Sequence, residues 1–231
     1  MKTDLLVALN EARAAKKRTA LVRLLESHEQ VLVVEDEVVS GALDEDGREQ
    51  VRIGLRQDRS KTVDLAAGRA FIQVFNPPLR LAIVGAVHIS QALAPMARLT
   101  GYDVSIIDPR GTFATEERFP GIALLDDWPD EAMQELDPDR RTAVVTLTHD
   151  PKLDDPALDV ALRSEAFYIA ALGSRRTHAG RIERLKALGH GEAAIARIHG
   201  PAGLDIGAVS PQEIAISVLA EMTAALRKEP G

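Results

Sequence analysis

One segment of this chain, Leu81–Arg110, limits the possible folds more than any other. An apolar stretch that predicts a strand meets Gly85, a helical pattern follows, and a second apolar stretch ends at Asp108. This is the outline of a dinucleotide-binding unit of the Rossmann type. The phosphate-binding pattern G-x-G-x-x-G is incomplete, because Val87 and Ser90 occupy the places of its second and third glycines. The segment therefore predicts a Rossmann-like fold in which the usual nucleotide is not held in the usual way.

The chain beyond residue 78 alternates between apolar strands and helical patterns. The predicted strands are Leu81–Val84, Asp103–Ile107, Ala123–Leu125, Ala143–Leu147 and Phe167–Ala171, and the predicted helices are Ile89–Leu99, Pro129–Leu136, Ala157–Ser164, His178–Leu188 and Pro211–Arg227. Strands that are apolar throughout must be buried on both faces. We therefore expect an α/β domain over residues 79–231, with a mostly parallel sheet and helices on both faces.

The first 78 residues have a different character and predict a small α+β domain. The pattern indicates a helix at Asp4–Lys17, a helix extension or a strand at Thr19–Leu25, a strand pair within Gln30–Leu43 broken at Glu35–Glu37, and a strand at Phe71–Phe75. Asn76-Pro77-Pro78 then interrupts regular structure, because proline has no N–H to donate and restricts the residue before it. We place the domain boundary after residue 78.

Composition narrows the classes of function. A formal charge of −7 disfavours nucleic acid as a partner, because neutralising phosphates needs a basic surface. The absence of cysteine excludes disulfides and thiolate metal sites. No apolar stretch approaches the roughly 20 residues that span a bilayer, and the charged beginning of the chain does not resemble a signal peptide. We expect a cytoplasmic protein that does not bind membranes.

Ligands of open parallel sheets bind beyond the carboxyl ends of the strands. Four predicted strands end there in polar segments, at Gly85–His88, Asp108–Arg110, Thr148–Asp150 and Gly173–Arg176. A glycine-rich loop before the last helix adds one more polar group. The predicted cofactor-binding residues are Gly85, His88, Asp108, Arg110, Thr148, His149, Asp150, Gly173, Ser174, Arg175, Arg176 and Asp205. We predict no catalytic residue and no metal ligand, since no second ligand lies at metal-motif spacing from His149.

Two arginines stand where a helix is predicted to begin. Arg175 and Arg176 oppose the helix dipole, which disfavours cations at the N-terminus. A bound phosphate or similar oxyanion would resolve this conflict, because arginine binds such groups through two parallel hydrogen bonds. The alternative is that these arginines pair with Glu183 or with other acidic side chains.

The remaining polar groups also allow two interpretations. Asp108 stands where a ribose hydroxyl is usually bound, yet it could instead pair with Arg110 or stabilise its own turn. His149 could donate a proton or contact a ligand, or it could be a hydrogen-bonded loop residue. Asp150 could cap the next helix, and Gly85 could serve the turn alone.

Long stretches of Leu79–Arg227 resemble the C-terminal Rossmann domain of the XdhC/CoxI family. The matching segments are DPRGTFATEERFPG, TLTHDPKLDDPAL, YIAALGSRRTHAGRIERL and HGPAGLDIGAVSPQEIAISVLAE. The resemblance implies an accessory protein that binds the molybdenum cofactor and assists its sulfuration and its insertion into a xanthine dehydrogenase or carbon monoxide dehydrogenase type hydroxylase. It also implies the hydroxylase apoenzyme as a partner, together with a cysteine desulfurase, and a homodimer is an open alternative.

Some family features are missing. The GGGHVG-like turn of the family is GAVHIS here, which keeps His88, and residues 1–79 lack the family's Gly-Ser-x-Pro and GGG stretches. We therefore interpret the N-terminal domain as divergent and shortened. Two other functions remain open: an NAD(P)-dependent oxidoreductase, indicated by Gly85 and Asp108, and a non-catalytic module that docks a partner.

Overall fold

The computed structural model describes residues 3–228. The chain separates into two compact units, Met1–Pro77 and Pro78–Gly231.

The N-terminal unit is an antiparallel sheet with two helices. Its elements are α1 (Thr3–Ala14), β1 (Thr19–Leu24), β2 (Gln30–Val34), β3 (Glu37–Ser40), α2 (Glu45–Gln57), β4 (Lys61–Leu65) and β5 (Gly68–Phe75), with strand order β3-β2-β1-β5-β4. Alternate residues of the sheet contact the two helices: Val22 and Ile72 pack in the cluster that holds Val51 of α2, whereas Leu21 packs with Leu9 of α1. The segment from Thr19 is thus a strand, and the predicted β2–β3 pair is present.

Two elements of this unit were not predicted, α2 and β4. The α2 sequence contains Gly47 and Gly54, which weaken a helical pattern. The helix forms because Asp44 accepts a hydrogen bond from the amide of Gly47 at 2.8 Å and caps its N-terminus. A Cβ at Gly54 would lie 3.3 Å from Val74 Cγ2, so the glycine permits α2 to pack closely on β5.

The C-terminal unit is a six-stranded parallel sheet between helices, as predicted. Its elements are β6 (Leu79–Val84), α3 (His88–Leu99), β7 (Tyr102–Ile107), β8 (Ala123–Leu125), α4 (Pro129–Leu136), β9 (Thr142–Thr146), α5 (Pro151–Arg163), β10 (Tyr168–Ala171), α6 (Arg175–Ala187), α7 (Glu192–Ile195), β11 (Ile198–His199) and α8 (Pro211–Arg227). The strand order β11-β10-β9-β6-β7-β8, with every pair parallel, is the order of dinucleotide-binding Rossmann domains.

Both faces of this sheet are covered. Leu81 and Ile83 of β6 pack in a cluster that includes side chains of α3 and α8. Ala82 and Val84, which point to the opposite face, pack in a cluster with side chains of α4, α5 and α6. This double burial is why Leu81–Val84 of β6 and the three residues 143–145 of β9 are all apolar.

Helices α5 and α6 begin earlier than the predicted ranges, and the cap that the sequence offered at Asp150 is present. Helix α5 starts at Pro151, since Asp150 accepts a hydrogen bond from Lys152 N at 2.9 Å, and the helix continues through Pro156. Helix α6 starts at Arg175, since Ser174 caps it. The capping box predicted for α8 at Ser210 is confirmed.

Candidate functional site

The chain changes direction across the sheet at β6. From β6 it proceeds to β7 and β8 on one side, and then returns to β9, β10 and β11 on the other. Loops that leave two neighbouring strands in opposite directions open a crevice, which is where such sheets bind ligands. We call Gly85–His88 and Asp108–Arg110 the first-half rim, and Thr148–Asp150 and Gly173–Arg176 the second-half rim.

The two loops at the crevice are in close contact. Gly85 has φ +109°, and a Cβ atom there would lie 2.5 Å from Thr148 Cγ2. A glycine is therefore required at position 85 for two separate reasons, the backbone conformation and the space that the Thr148 side chain occupies.

The turn after β6 is closed by a side chain at a position where the Rossmann fingerprint has glycine. The Ser90 hydroxyl, which is fully buried, donates to Gly85 O and accepts from Val87 N at 3.3 Å. The amide of Ala86 donates to Asp108 Oδ2 at 2.8 Å. The polar groups of this turn are thus bonded to one another rather than directed at a ligand.

Asp108 is fully buried and pairs with Arg110, which is one of the alternatives that the sequence left open. Arg110 donates to it from Nε and Nη2, each at 2.8 Å, and from its backbone amide at 3.0 Å. Burial alone would raise the pKa of Asp108, but the hydrogen bonds from Arg110 and Ala86 outweigh it and hold the pKa below its ordinary value. Asp108 therefore presents no free oxygen to a ribose in this conformation. His88, the first residue of α3, is exposed.

The loop after β9 brings Thr148, His149 and Asp150 to the second-half rim. Thr148 Oγ1 donates to Asp154 Oδ1 at 2.6 Å and accepts from Asp150 N at 3.0 Å. His149 is exposed and has φ +64°, a left-handed conformation that is uncommon outside glycine. Asp150 caps α5, so its carboxylate already has a structural role.

The turn after β10 carries the two arginines. Gly173 has φ +143°, and Ser174 Oγ accepts from Thr177 N at 3.1 Å. Arg175 and Arg176 are exposed, and neither forms an ion pair with any residue between 3 and 228. The proposed partner Glu183 contacts Lys186 instead, at 3.6 Å.

Sequence reasoning missed a buried ion pair beneath this rim. Asp154 on α5 and Arg181 on α6 are each 1% exposed, and Asp154 Oδ2 lies 3.6 Å from Arg181 Nη2. Burial raises the pKa of Asp154 and lowers that of Arg181. No local pattern signals this pair, because Asp155 adjoins Asp154 and the helix that carries Arg181 contains several other charged residues.

A second missed cluster lies between β10, β11 and α8. Glu221 accepts hydrogen bonds from Tyr168 Oη at 2.6 Å and from Gly203 N at 2.9 Å, and its other oxygen lies 3.1 Å from His199 Nδ1. Burial, followed by the bond to Glu221, raises the pKa of Tyr168. The cluster fixes the start of the loop that carries Asp205, which is exposed.

Within residues 3–228 we find no group of three histidine, aspartate or glutamate side chains arranged to hold a metal ion. The helices of this same part of the chain are all too short or too polar to cross a membrane.

Curated bacterial proteins resemble this chain over most of its length. An uncharacterized Escherichia coli protein, YqeB, is 35% identical over 70% of this chain, and the E. coli molybdenum cofactor insertion chaperone PaoD is 35% identical over 64%. A Bacillus subtilis protein, named as a probable xanthine dehydrogenase subunit, is 33% identical over 66%. These matches cover 30%, 40% and 44% of the three relatives, so the chain spans less than half the length of each.

A solved structure shares the fold. The crystal structure of a xanthine dehydrogenase from Bacillus halodurans superposes with a TM-score of 0.67, covering 94% of this chain and 62% of that one at 23% identity. The sequence model of the XdhC Rossmann domain matches residues 81–222, more than half of the chain. The chain therefore belongs to the XdhC family.

Proposed function

We propose that this protein binds the molybdenum cofactor and assists its sulfuration and its insertion into a xanthine dehydrogenase or carbon monoxide dehydrogenase type hydroxylase. The proposal is supported by membership of the XdhC family and by one relative named as a molybdenum cofactor insertion chaperone. A second relative is named as a probable xanthine dehydrogenase subunit, which makes the hydroxylase apoenzyme the proposed partner.

The observation that carries the proposal is the pair of exposed arginines at the start of α6, which have no ion-pair partner within residues 3–228. The molybdenum cofactor is a pterin with a phosphate and an oxo-metal centre, and a phosphate fits Arg175, Arg176 and the amides of this helix terminus. We assign phosphate binding to these arginines and further contacts to Gly173, Ser174, Thr148 and His149.

The other predicted residues surround the same crevice. We propose that Gly85, Asp108 and Asp150 hold the loops in place, and that His88 and Arg110 line the opposite side. Asp205 lies on the loop before α8 and is assigned a ligand contact on the same basis.

The sulfur must come from another molecule in this proposal. The sequence contains no cysteine, so none of its side chains can carry a persulfide. A cysteine desulfurase is therefore a proposed second partner, and we place the protein in the cytoplasm, with homodimer formation left to measurement.

Equilibrium titration with isolated molybdenum cofactor tests the proposal. We expect the double variant Arg175→Ala, Arg176→Ala to bind at least about tenfold more weakly than the unaltered protein, because hydrogen bonds to charged groups contribute about 1.5–3 kcal/mol each. The double variant Arg52→Ala, Arg163→Ala removes the same charge from surface ion pairs elsewhere and should bind normally. Failure of the unaltered protein to bind would end the proposal.

The strand order keeps a nicotinamide-dependent oxidoreductase as a second candidate, although the closed Gly85 turn and the paired Asp108 weigh against it. At 100 times its dissociation constant a nucleotide would stabilise the protein by about 2.7 kcal/mol. We expect no such rise in melting temperature with NAD(H) or NADP(H), and a clear rise would favour this second function. For the docking alternative, recovery of a hydroxylase subunit by the Arg175→Ala, Arg176→Ala variant would favour docking over cofactor transport.

A further inference from the structure

We propose that Asp154 and Arg181 are positioning residues that hold the two loops of the second-half rim at a fixed separation for the ligand. This inference rests on the proposed function for the identity of the ligand, but not for the mechanical coupling between the loops.

A continuous chain of contacts joins the two loops through the protein interior. Thr148, in the loop after β9, donates to Asp154 Oδ1 at 2.6 Å. The other oxygen of Asp154 faces Arg181 Nη2 at 3.6 Å, and that same nitrogen donates to Leu172 O at 2.9 Å. Leu172 directly precedes Gly173, so the contacts begin in one rim loop and end at the other.

Stability alone does not account for this pair. Arg181 Nε and Nη1 and Asp154 Oδ2 are buried without hydrogen-bond partners among the described residues. A buried, incompletely bonded ion pair is often less stable than apolar side chains of the same volume. The feature that apolar side chains could not provide is the directed bond at each end, to Thr148 and to Leu172.

A neighbouring pair on the same two helices supplies the comparison. Arg184 of α6 donates to the carboxylate of Asp155 of α5 from Nε and, at 3.1 Å, from Nη2. The Arg184 side chain is 41% exposed, and within residues 3–228 no hydrogen bond or ion pair joins Asp155 or Arg184 to a strand end. The Asp155–Arg184 pair therefore joins α5 to α6 in the same way but does not reach the rim, which makes it a matched control.

Hydrogen exchange in the full chain without cofactor tests the coupling. We expect Arg181→Met to speed exchange of the Asp150 amide, which is bonded to Thr148 Oγ1, by about tenfold, although Arg181 does not contact Thr148. Asp154→Asn should speed exchange of the Leu172 amide, which is bonded to Thr146 O, in the same way. Arg184→Met and Asp155→Asn should leave both amides unchanged.

Equal effects of the two pairs, or no change at either amide, would overturn the inference. Should Arg181→Met not fold, Asp154→Asn keeps the side-chain volume and decides the question with Asp155→Asn.

Titration with isolated molybdenum cofactor provides the second measurement. Asp154→Asn should weaken binding at least about fivefold, Asp155→Asn should not, and Thr148→Ser, which keeps the hydroxyl, should bind better than Thr148→Val. If Thr148→Val binds as well as Thr148→Ser, the positioning role is wrong. If the unaltered protein does not bind the cofactor, the proposed function fails while the exchange result still decides the coupling.

Discussion

Each half of the crevice contains a strand–turn–helix unit, yet the polar groups of the two halves have different partners. In the first-half rim, Ser90 closes the turn and Asp108 is paired with Arg110. In the second-half rim, Arg175 and Arg176 are exposed without ion-pair partners among the described residues. The glycine fingerprint therefore describes the geometry of a turn, and the free charges are the better guide to where an anion would bind.

The comparison extends to one buried carboxylate beneath each half. Asp108 accepts several hydrogen bonds from charged and backbone donors, and its pKa is lowered. Asp154 has one oxygen bonded to Thr148, its other oxygen has no hydrogen-bond partner in the described part of the chain, and its pKa is raised. The first half is thus stabilised by its polar groups, whereas the second half keeps a buried charge at the expense of stability.

The largest expected effect is that of Gly85→Ala at the junction of the two halves. The left-handed conformation and the contact with Thr148 should together lower the free energy of unfolding by about 2–4 kcal/mol. Gly101→Ala is the control, because Gly101 has φ +90° but open space around it, and we expect a loss of only about 1 kcal/mol. Urea denaturation measures both, and equal losses would show that the loops are not tightly packed.

Asp108→Asn should lower the free energy of unfolding by about 2 kcal/mol at neutral pH, because it weakens a buried, charge-assisted set of hydrogen bonds. Urea denaturation measures this loss in the free energy of unfolding. A loss below about 0.5 kcal/mol would mean that the first-half rim is not stabilised by this pair.

Stability should depend on pH with opposite sign at Asp108 and Asp154. The pKa of Asp108 is lowered in the folded protein from its ordinary value of 3.8. Its contribution to the free energy of unfolding is therefore complete above pH 3.8 and is lost as the pH falls through the pKa of the folded protein. Thr148, His149 and Arg181 face Asp154, and the pKa of Asp154 is raised in the folded protein. Its contribution to the free energy of unfolding is therefore complete below pH 3.8 and is lost as the pH rises through the pKa of the folded protein.

Urea midpoints between about pH 2 and pH 7 check this difference. Asp108→Asn should reduce the loss of stability at acid pH, and Asp154→Asn should reduce the loss as pH rises. If both variants changed the dependence of stability on pH in the same direction, Asp108 and Asp154 would not differ in the way that this comparison requires.

Ser90→Ala should lower the free energy of unfolding by about 1 kcal/mol, because Gly85 O and Val87 N each lose a hydrogen-bond partner. Water can form some of the lost hydrogen bonds, which keeps the effect small. Thermal unfolding detects this change. A neutral result would show that the hydroxyl does not close the turn.

A structural element could be predicted from the sequence where the residues that determine it are close together along the chain. The parallel sheet was predictable, because apolar strands such as β9 carry their burial in the local sequence. The first residues of α5 and α6 could also be predicted from the sequence, because Asp150 and Ser174 are residue types that commonly cap helices. Helix α2 was not predicted because its two glycines weaken the helical pattern. Strand β11 was not predicted because its two residues are too few to form a recognisable pattern.

The candidate site was predictable only where a strand end is polar. The rim segments follow from topology, but the Asp154–Arg181 pair joins residues 27 positions apart, and the bond between Tyr168 and Glu221 spans 53. Neither pairing leaves a periodic pattern. The partner of Asp108 was among the alternatives, because Arg110 is only two residues away.

The smallest effect is expected for Arg175→Ala, Arg176→Ala, which should lower the free energy of unfolding by at most about 0.5 kcal/mol. Both side chains are exposed, and neither has an ion-pair partner among the residues that the structure describes. Thermal unfolding of the free protein checks this expectation. A larger loss would mean that the arginines serve the fold rather than a ligand.

Cofactor titration of one variant from each half tests the central claim most directly. With isolated molybdenum cofactor, we predict that Arg175→Ala, Arg176→Ala weakens binding at least about tenfold, whereas Arg110→Ala, in the first-half rim, weakens it less than about threefold. Equal losses in the two variants, or a larger loss for Arg110→Ala, would contradict the assignment of the anion to the second half of the crevice.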